Sequence, residues 1–326
     1  MIRYALRRLV FYLVAFWAAI TLNFLLPRLM PSDPATVLFA RFQGRLQPEA
    51  LEALKHTFGI NDAPLWKQYL QYLHSLLHGD LGISLAYFPQ PVHSVLWEGV
   101  LWTLFLSGGA LLISFTAGTI LGAMSAWWRG GKWDYVPAML SFFGAFPYFW
   151  MAMLVLAVFG FQLGWFPTRH AYAGGLQPEF SFVFLSSMLQ HAFLPGLTMV
   201  IASLGGWLLT MRSSMIASSS DEFVLFAHAR GIPSNRIMMQ YAARVAFLPS
   251  LSSFGMALGF VVSGALLTEM VFAYPGQGYL LIQSVRAQDY PLMQGIFLSI
   301  SGCVLLANLF VDCSLLLLDP RTKERT

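Results

Sequence analysis

Six long apolar runs set the limits on what this chain can become. They lie at about Leu9–Leu26, Val100–Trp127, Val136–Phe161, Phe193–Met211, Leu251–Phe272 and Leu292–Leu318. Each is near or above the roughly 20 residues a helix needs to cross hydrocarbon. A β-barrel would show alternating segments of about ten residues, whereas these runs are longer and apolar on every side. Of the 326 residues 57% are hydrophobic and 10% charged, so lipid is the main solvent. The sequence predicts an all-α integral membrane protein with six transmembrane helices.

Basic residues orient the spans. Arg3, Arg7 and Arg8, then Arg129 and Lys132, then Arg212, Arg230, Arg236 and Arg244, then Arg321, Lys323 and Arg325 all fall on one side if both termini are cytoplasmic. The first run follows basic residues as a signal peptide does, but no small-x-small cleavage site follows it, and it reads as a retained anchor. The net charge of +4 is thus a topology signal and implies no nucleic-acid partner. The divisions that follow are 1–27 for the N-terminal tip and first span, 28–98 for an extracytoplasmic helical segment, 99–318 for the membrane core and 319–326 for a cytoplasmic tail. Two short surface helices are expected in the outer segment. One starts at Pro48 and ends at Gly59; the other starts at Pro64, with an apolar stripe of Trp66, Tyr69, Leu70, Leu73 and Leu77.

Catalytic signatures are missing. No H-E-x-x-H pattern occurs, and the one Gly-Lys pair, Gly131-Lys132, has Ala126 where a phosphate loop needs its first glycine and Trp133 where it needs Ser or Thr. His74 and His78 have the four-residue spacing of a metal pair but no third ligand nearby. No metal site and no bound cofactor are expected. Cys303 and Cys313, ten apart in the last run, read as small packing residues. Glu269 and Asp312 lie within two turns of a span end, where snorkelling or a partner arginine is the simpler expectation. Glu269, beside Pro275-Gly276, is also a candidate outer gate. In the third run Phe146, Tyr148 and Trp150 flank Pro147, which breaks the helix, and are candidates either for a transport pathway or for an aromatic cluster packed between helices.

The stretch from about residue 212 to 250 is the cytoplasmic loop large enough to present a folded surface. Ser220-Asp221 cap a short helix carrying Phe223, Leu225, Phe226 and Ala227, which stops at Gly231. Pro233-Ser234 start a second, from Asn235 to about Val245, with Ile237, Met238, Tyr241 and Ala242 on its apolar face. Ala227 and Ala229 keep the first helix slim, as insertion into a groove of another protein requires.

These residues resemble the membrane-spanning subunits of ATP-binding-cassette importers, in the dipeptide/oligopeptide/nickel permease group. Ala227-x-Ala229-x-Gly231 with Arg244 and Leu248-Pro249 is similar to that group's cytoplasmic coupling loop. Further similar motifs occur in order: Arg3-Tyr4-x-x-Arg7-Arg8, Gly79-Asp80-Leu81-Gly82-x-Ser84, Leu163-Gly164-Trp165-Phe166-Pro167, His191-Ala192-x-Leu194-Pro195, Glu269-x-Val271-Phe272-x-x-Pro275-Gly276-x-Gly278, Asp289-Tyr290-Pro291 and Leu318-Asp319-Pro320-Arg321. The likeness covers nearly the whole chain. It departs at His228, where the group often has Arg or Lys, and at Val245, where it often has Asn. The run Gly205-Gly206-Trp207-Leu208-Leu209 and the outer Tyr87-Phe88-Pro89 look more like the branch found with oligosaccharides.

The resemblance implies a type I importer permease fold and half of a translocation pathway for di- or oligopeptides in the bacterial or archaeal plasma membrane. Oligosaccharides or nickel chelates are the alternative cargo, and a secondary transporter is the rival class. It further implies a homologous second permease, two ATPase subunits that hydrolyse ATP with magnesium, and an extracytoplasmic binding protein. Phe223, Phe226, Ala227, Ala229, Arg230, Gly231, Pro233, Arg236 and Arg244 would then form the coupling surface.

Overall fold

The computed structural model describes residues 2–29, 63–261 and 266–318. Among the described residues the chain is helical and contains no strand, only an isolated bridge between Ile83 and Pro91. In hydrocarbon every backbone group needs an internal partner, and helices supply one without help from a neighbour. The elements are α1 (Ile2–Leu29), α2 (Leu65–Leu77), α3 (Val92–Trp127), α4 (Tyr135–Gly144), α5 (Tyr148–Gln162), α6 (Phe182–Ser219), α7 (Glu222–Ala229), α8 (residues 234–261), α9 (Leu266–Val271), α10 (Gln277–Arg286) and α11 (Tyr290–Leu318).

Stretches of α1, α3, α6 and α11 are long and apolar enough to cross a membrane, and α4 with α5 makes a fifth candidate if the bent pair is one span. Their outward faces are apolar: Leu9, Val10, Phe11, Leu13, Val14 and Trp17 of α1 and Leu112, Ile113 and Ile120 of α3 are exposed, as lipid-facing residues are. Two of the expected spans differ from a single straight helix. The third is bent by 96° between α4 and α5, because Pro147 takes extended backbone angles at the start of α5. The fifth, expected at about Leu251–Phe272, is divided between α8 and α9, with 262–265 outside the described residues. The expected helix from Pro48 also lies outside them.

At the centre α3 packs along α6. The contacting stripe of α3 is small: Ser114, Gly118, Gly122, Ser125 and Ala126 are all buried. Lipid gives helices no hydrophobic reason to associate, so close backbone approach over small residues supplies the attraction. Helices α4 and α8 pack on α6, and α11 joins α8 to α1. Asp312 on α11 pairs with Arg8 of α1 at 2.9 Å and accepts from the Tyr12 hydroxyl at 2.6 Å, so it has the arginine partner expected of it. Cys303 is a free, partly buried thiol.

Helix α2 lies against the C-terminal end of α1. Tyr69 and Tyr72 pack on Phe24 with ring centroids 5.1 and 5.5 Å away, and the Arg28 guanidinium donates to Gln68. The expected stripe is therefore rotated. Trp66, Leu70 and Leu77 are exposed, whereas Tyr69 of the stripe faces inward with Tyr72, their rings on Phe24 and their hydroxyls bonded to Thr21 and Asn23.

Candidate functional site

The elbow between α7 and α8 follows from three residues. Helix α7 ends at Ala229, with Arg230 at the C-cap position, and Gly231 turns the chain with φ +71°. A side chain rarely adopts that angle, and glycine there is the common stop of a helix. The Ile232 N–H returns to the Ala227 carbonyl at 3.3 Å, closing the turn. Pro233 then opens α8, its carbonyl accepting from Arg236 and Ile237 at 2.9 and 3.1 Å. Two expectations change here. Asp221 sits at the N-cap position of α7, but its side chain makes no capping bond. The second helix does not stop near Val245; it runs on through Pro249 to Val261 by way of a widened π-turn at Ile237–Ala242.

Helix α7 has two distinct faces. Val224 and Ala227 are buried in a cluster with Met211, Met215, Ile237, Met238 and Ala242. Ala227 is thus small in order to pack inward. Phe223, Leu225 and Phe226 remain 38%, 59% and 67% exposed, an apolar ridge facing away from the rest of the chain. Ala229 and Arg230 are exposed beside it; Arg236 donates to Gln240 at 3.0 Å, and exposed Arg244 borders a cleft between α3, α6 and α8.

Trp127, which the sequence reading passed over, joins this elbow to the membrane core. Its ring stacks on His228 of α7 at 6.1 Å and 13°, and its indole N–H donates to Ser234 at the start of α8 at 3.0 Å. One residue at the end of α3 thus touches both arms of the elbow. A sequence signal existed in hindsight, since an aromatic at a helix end beside a basic turn has a polar handle to place.

Glu269 has a different environment from the one expected, with no arginine beside it. It is fully buried, accepting from Thr103 Oγ1 at 2.8 Å and from the backbone N–H groups of Gly278 and Tyr279 at 2.8 and 3.3 Å. Its carboxyl group therefore satisfies the otherwise orphaned N–H donors at the start of α10. Gly276 and Gly278 make room, since a Cβ at Gly276 would stand 2.4 Å from Glu269 Oε1 and one at Gly278 2.6 Å from the Leu266 Cα.

The aromatic candidates separate. Phe146 and Trp150 stack on each other at 4.8 Å, whereas Tyr148 lines a cavity of about 620 Å³ with Ser107 and Thr268. Glu269, next in the chain to Thr268, does not line it. The His74 and His78 rings lie 4.3 Å apart, tilted by 33°, and among the described residues no three His, Cys, Asp or Glu side chains gather closely enough for a metal.

Membrane-length helices, one broken beside a cavity, and an apolar ridge held on a capped elbow define a multi-pass helical membrane protein of the transport class. The chain belongs to the family of binding-protein-dependent transport system inner membrane components, whose model matches residues 118–324; the matching N-terminal family model covers residues 1–97. It is 34% identical over 324 residues, 99% of each chain, to a protein of Brucella suis biovar 1 (strain 1330) provisionally named a peptide permease. It is 30% identical, over the whole of both chains, to the di/tripeptide transport system permease protein DppB of Pseudomonas aeruginosa (strain UCBPP-PA14). It is 27% identical to the oligopeptide transport system permease protein AppB of Bacillus subtilis (strain 168), covering 98% of this chain and 99% of that one. This chain is accordingly a permease subunit of an importer of that type.

Proposed function

We propose that this chain forms half of the pathway of an ATP-driven importer of di- or oligopeptides and that α7 is the lever joining it to an ATPase. The observation that carries the lever is the two-faced helix α7, anchored inward by Val224 and Ala227 and presenting Phe223, Leu225 and Phe226 outward. An exposed apolar ridge on an otherwise polar face is how a helix docks into a groove of another protein.

In this reading the six spans cross the bacterial plasma membrane with both termini in the cytoplasm. A homologous second permease completes the pathway, and an extracytoplasmic binding protein delivers cargo to the outer segment. Two ATPase subunits bind and hydrolyse ATP with magnesium; this chain is non-catalytic. Closure of those subunits moves α7, and Trp127 passes the displacement to α3 while the rigid turn at Gly231 passes it to α8. Glu269 holds α9 and α10 together at the other end, as an outer gate needs. The peptide assignment is supported by the names of the relatives, which are peptide, di/tripeptide and oligopeptide permeases.

The test is purification of the tagged chain from membranes of its own host. The account expects an ATPase with a phosphate loop to come with it, and Leu225→Asp with Phe226→Asp to lose that ATPase while the chain stays in the membrane. Purification of the wild-type chain as an active transporter without any ATPase contradicts it.

A further inference from the structure

We infer that Thr268, Ser107, Ser203, Tyr148, Ser141 and Thr210 form an uncharged track of hydroxyls, running from mid-membrane toward the cytoplasmic side, that takes the main chain of a transported peptide. This rests on the reading of the chain as a peptide permease subunit and specifies what its pathway recognises.

Two adjoining cavities carry the track. The first, of about 620 Å³, is lined by Ser107, Tyr148, Ser203 and Thr268 among others. The second, of about 550 Å³, shares Tyr148 and Ser203 with it and continues past Ser141 to Thr210. Their depth follows from the long helices. Ser107 and Ala110 are near the middle of the 36-residue α3, and Met199 and Ser203 are near the middle of the 38-residue α6. Transporter sites lie at this depth, beside interrupted helices. Both interruptions needed are present: α3 is widened by a π-turn at Leu104–Gly108, and the α4–α5 pair breaks at Pro147.

The hydroxyls are the second, independent observation. A serine or threonine within a helix commonly donates to a carbonyl one turn back. Ser203 does so to Met199 at 2.8 Å and Thr210 to Gly206 at 2.9 Å, which leaves their lone pairs able to accept. Ser107 Oγ, Ser141 Oγ and Thr268 Oγ1 are sealed off and find no partner among the described residues, although their residues border the cavities, so a rotation about χ1 is what turns each hydroxyl toward a ligand. A buried hydroxyl without a partner destabilises the fold, and three beside connected cavities ask for a ligand that supplies one.

The chemistry of that ligand follows from what the lining lacks. Among the described residues, neither cavity is bordered by Asp, Glu, Lys, Arg or His. A charged terminus or side chain finds no counter-ion here, so the walls do not select by charge. Hydroxyls both donate and accept, and a peptide main chain offers N–H and C=O groups in alternation whatever its sequence. The remaining wall is apolar, with Met199, Val261 and Leu266, and tolerates varied side chains. Such contacts are few and neutral, and a cargo that must leave again is better served by weak sites than by tight ones. An oligosaccharide also carries dense neutral hydroxyls, so the experiment separates it from a peptide.

The test uses the complete complex, with its second permease, ATPases and binding protein, in liposomes and with trialanine as the probe. Ser107→Ala combined with Thr268→Val removes two unpaired hydroxyls and little volume. The expected result is a melting temperature no lower than wild type, with trialanine uptake per ATP hydrolysed reduced about tenfold. Unchanged uptake overturns the track. A second measurement does not depend on that variant folding: Ser203→Cys is made in a Cys303→Ser, Cys313→Ser background and labelled with a neutral maleimide. Turnover with trialanine should slow labelling several-fold, and cellotriose should not. Labelling indifferent to trialanine, or slowed by cellotriose alone, overturns the proposal. A wild-type complex whose ATP hydrolysis drives no trialanine uptake removes the peptide reading and the track together; wild-type uptake with an unaffected double variant removes the track alone.

Discussion

Glu269 accepts the backbone N–H of Gly278, nine residues further along the chain, at 2.8 Å in a fully buried setting. The same carboxyl group also accepts from the Tyr279 N–H and from the Thr103 hydroxyl of α3, so three elements meet at it. Glu269→Gln keeps an oxygen for the two N–H groups and turns an amide nitrogen to Thr103, whose oxygen can accept. Glu269→Leu leaves both N–H groups and the hydroxyl proton without their acceptor, while the Thr103 oxygen still accepts from the Gln277 N–H at 2.8 Å. Thermal unfolding of the detergent-solubilised protein should therefore rank them. The Gln variant should lose about 1 kcal/mol and the Leu variant about 3 kcal/mol. A Gln variant as damaged as the Leu variant would mean that the carboxyl group does more than satisfy these donors.

Gly278→Ala tests the same site from the other side. Its Cβ would stand 2.6 Å from the Leu266 Cα and 2.9 Å from Glu269 Oε2, and backbone cannot yield as a side-chain tip can. The expected loss is about 1–3 kcal/mol, measured in the same melt. Gly206→Ala, where a Cβ meets nothing within 4 Å, should be close to neutral.

The segment between α2 and α3 is fastened by Asp289. It is buried, accepts from the Ser84 hydroxyl and from the Ala86 N–H at 2.8 Å, and holds the Leu292 N–H at 3.1 Å at the start of α11. Asp289→Ala releases all three donors. Protease added to the outer face should then cut within residues 84–90 several times faster than in wild type, while α11 stays inserted. Unchanged cleavage would mean that the isolated Ile83–Pro91 bridge and the bond from the Val92 N–H to the Gly82 carbonyl at 2.9 Å suffice.

Trp127 is the predicted transmission residue. Trp127→Phe keeps a ring against His228 and loses the bond to Ser234; Trp127→Ala loses both. In liposomes containing the full complex, uptake per ATP should fall roughly two- to fivefold in the Phe variant and tenfold or more in the Ala variant, since one neutral hydrogen bond contributes about 1 kcal/mol. Equal losses in both would assign the effect to the hydrogen bond alone.

Much of this architecture was legible in the sequence because it depends on local patterns. Apolar length located α1, α3, α6 and α11, and Pro64 and Gly79 bracketed α2. Gly231 and Pro233 announced the elbow, since the stop needs positive φ and the restart a fixed one. What stayed hidden depends on partners far along the chain. Thr103 is 166 residues from Glu269, and Trp127 is 107 from Ser234, distances over which periodicity carries no information. The inward face of α2 escaped because tyrosines meeting Phe24 outweigh a hydropathy stripe. The continuity of α8 escaped because Pro249 looked like the entry to a separate span, and the helix accommodates it.

The lever is tested most directly at Gly231. A Cβ there meets nothing within 4 Å, so the whole effect of a substitution comes from φ +71°, which a β-branched residue resists. Gly231→Val should leave the chain in the membrane and its ATPase bound, while re-aiming α7 against α8. ATP hydrolysis and uptake are then measured together in the same liposomes. The account predicts that hydrolysis continues while peptide uptake falls about tenfold or more, as a strain of about 1–2 kcal/mol at the elbow allows. Wild-type uptake per ATP in the Gly231→Val complex would contradict it.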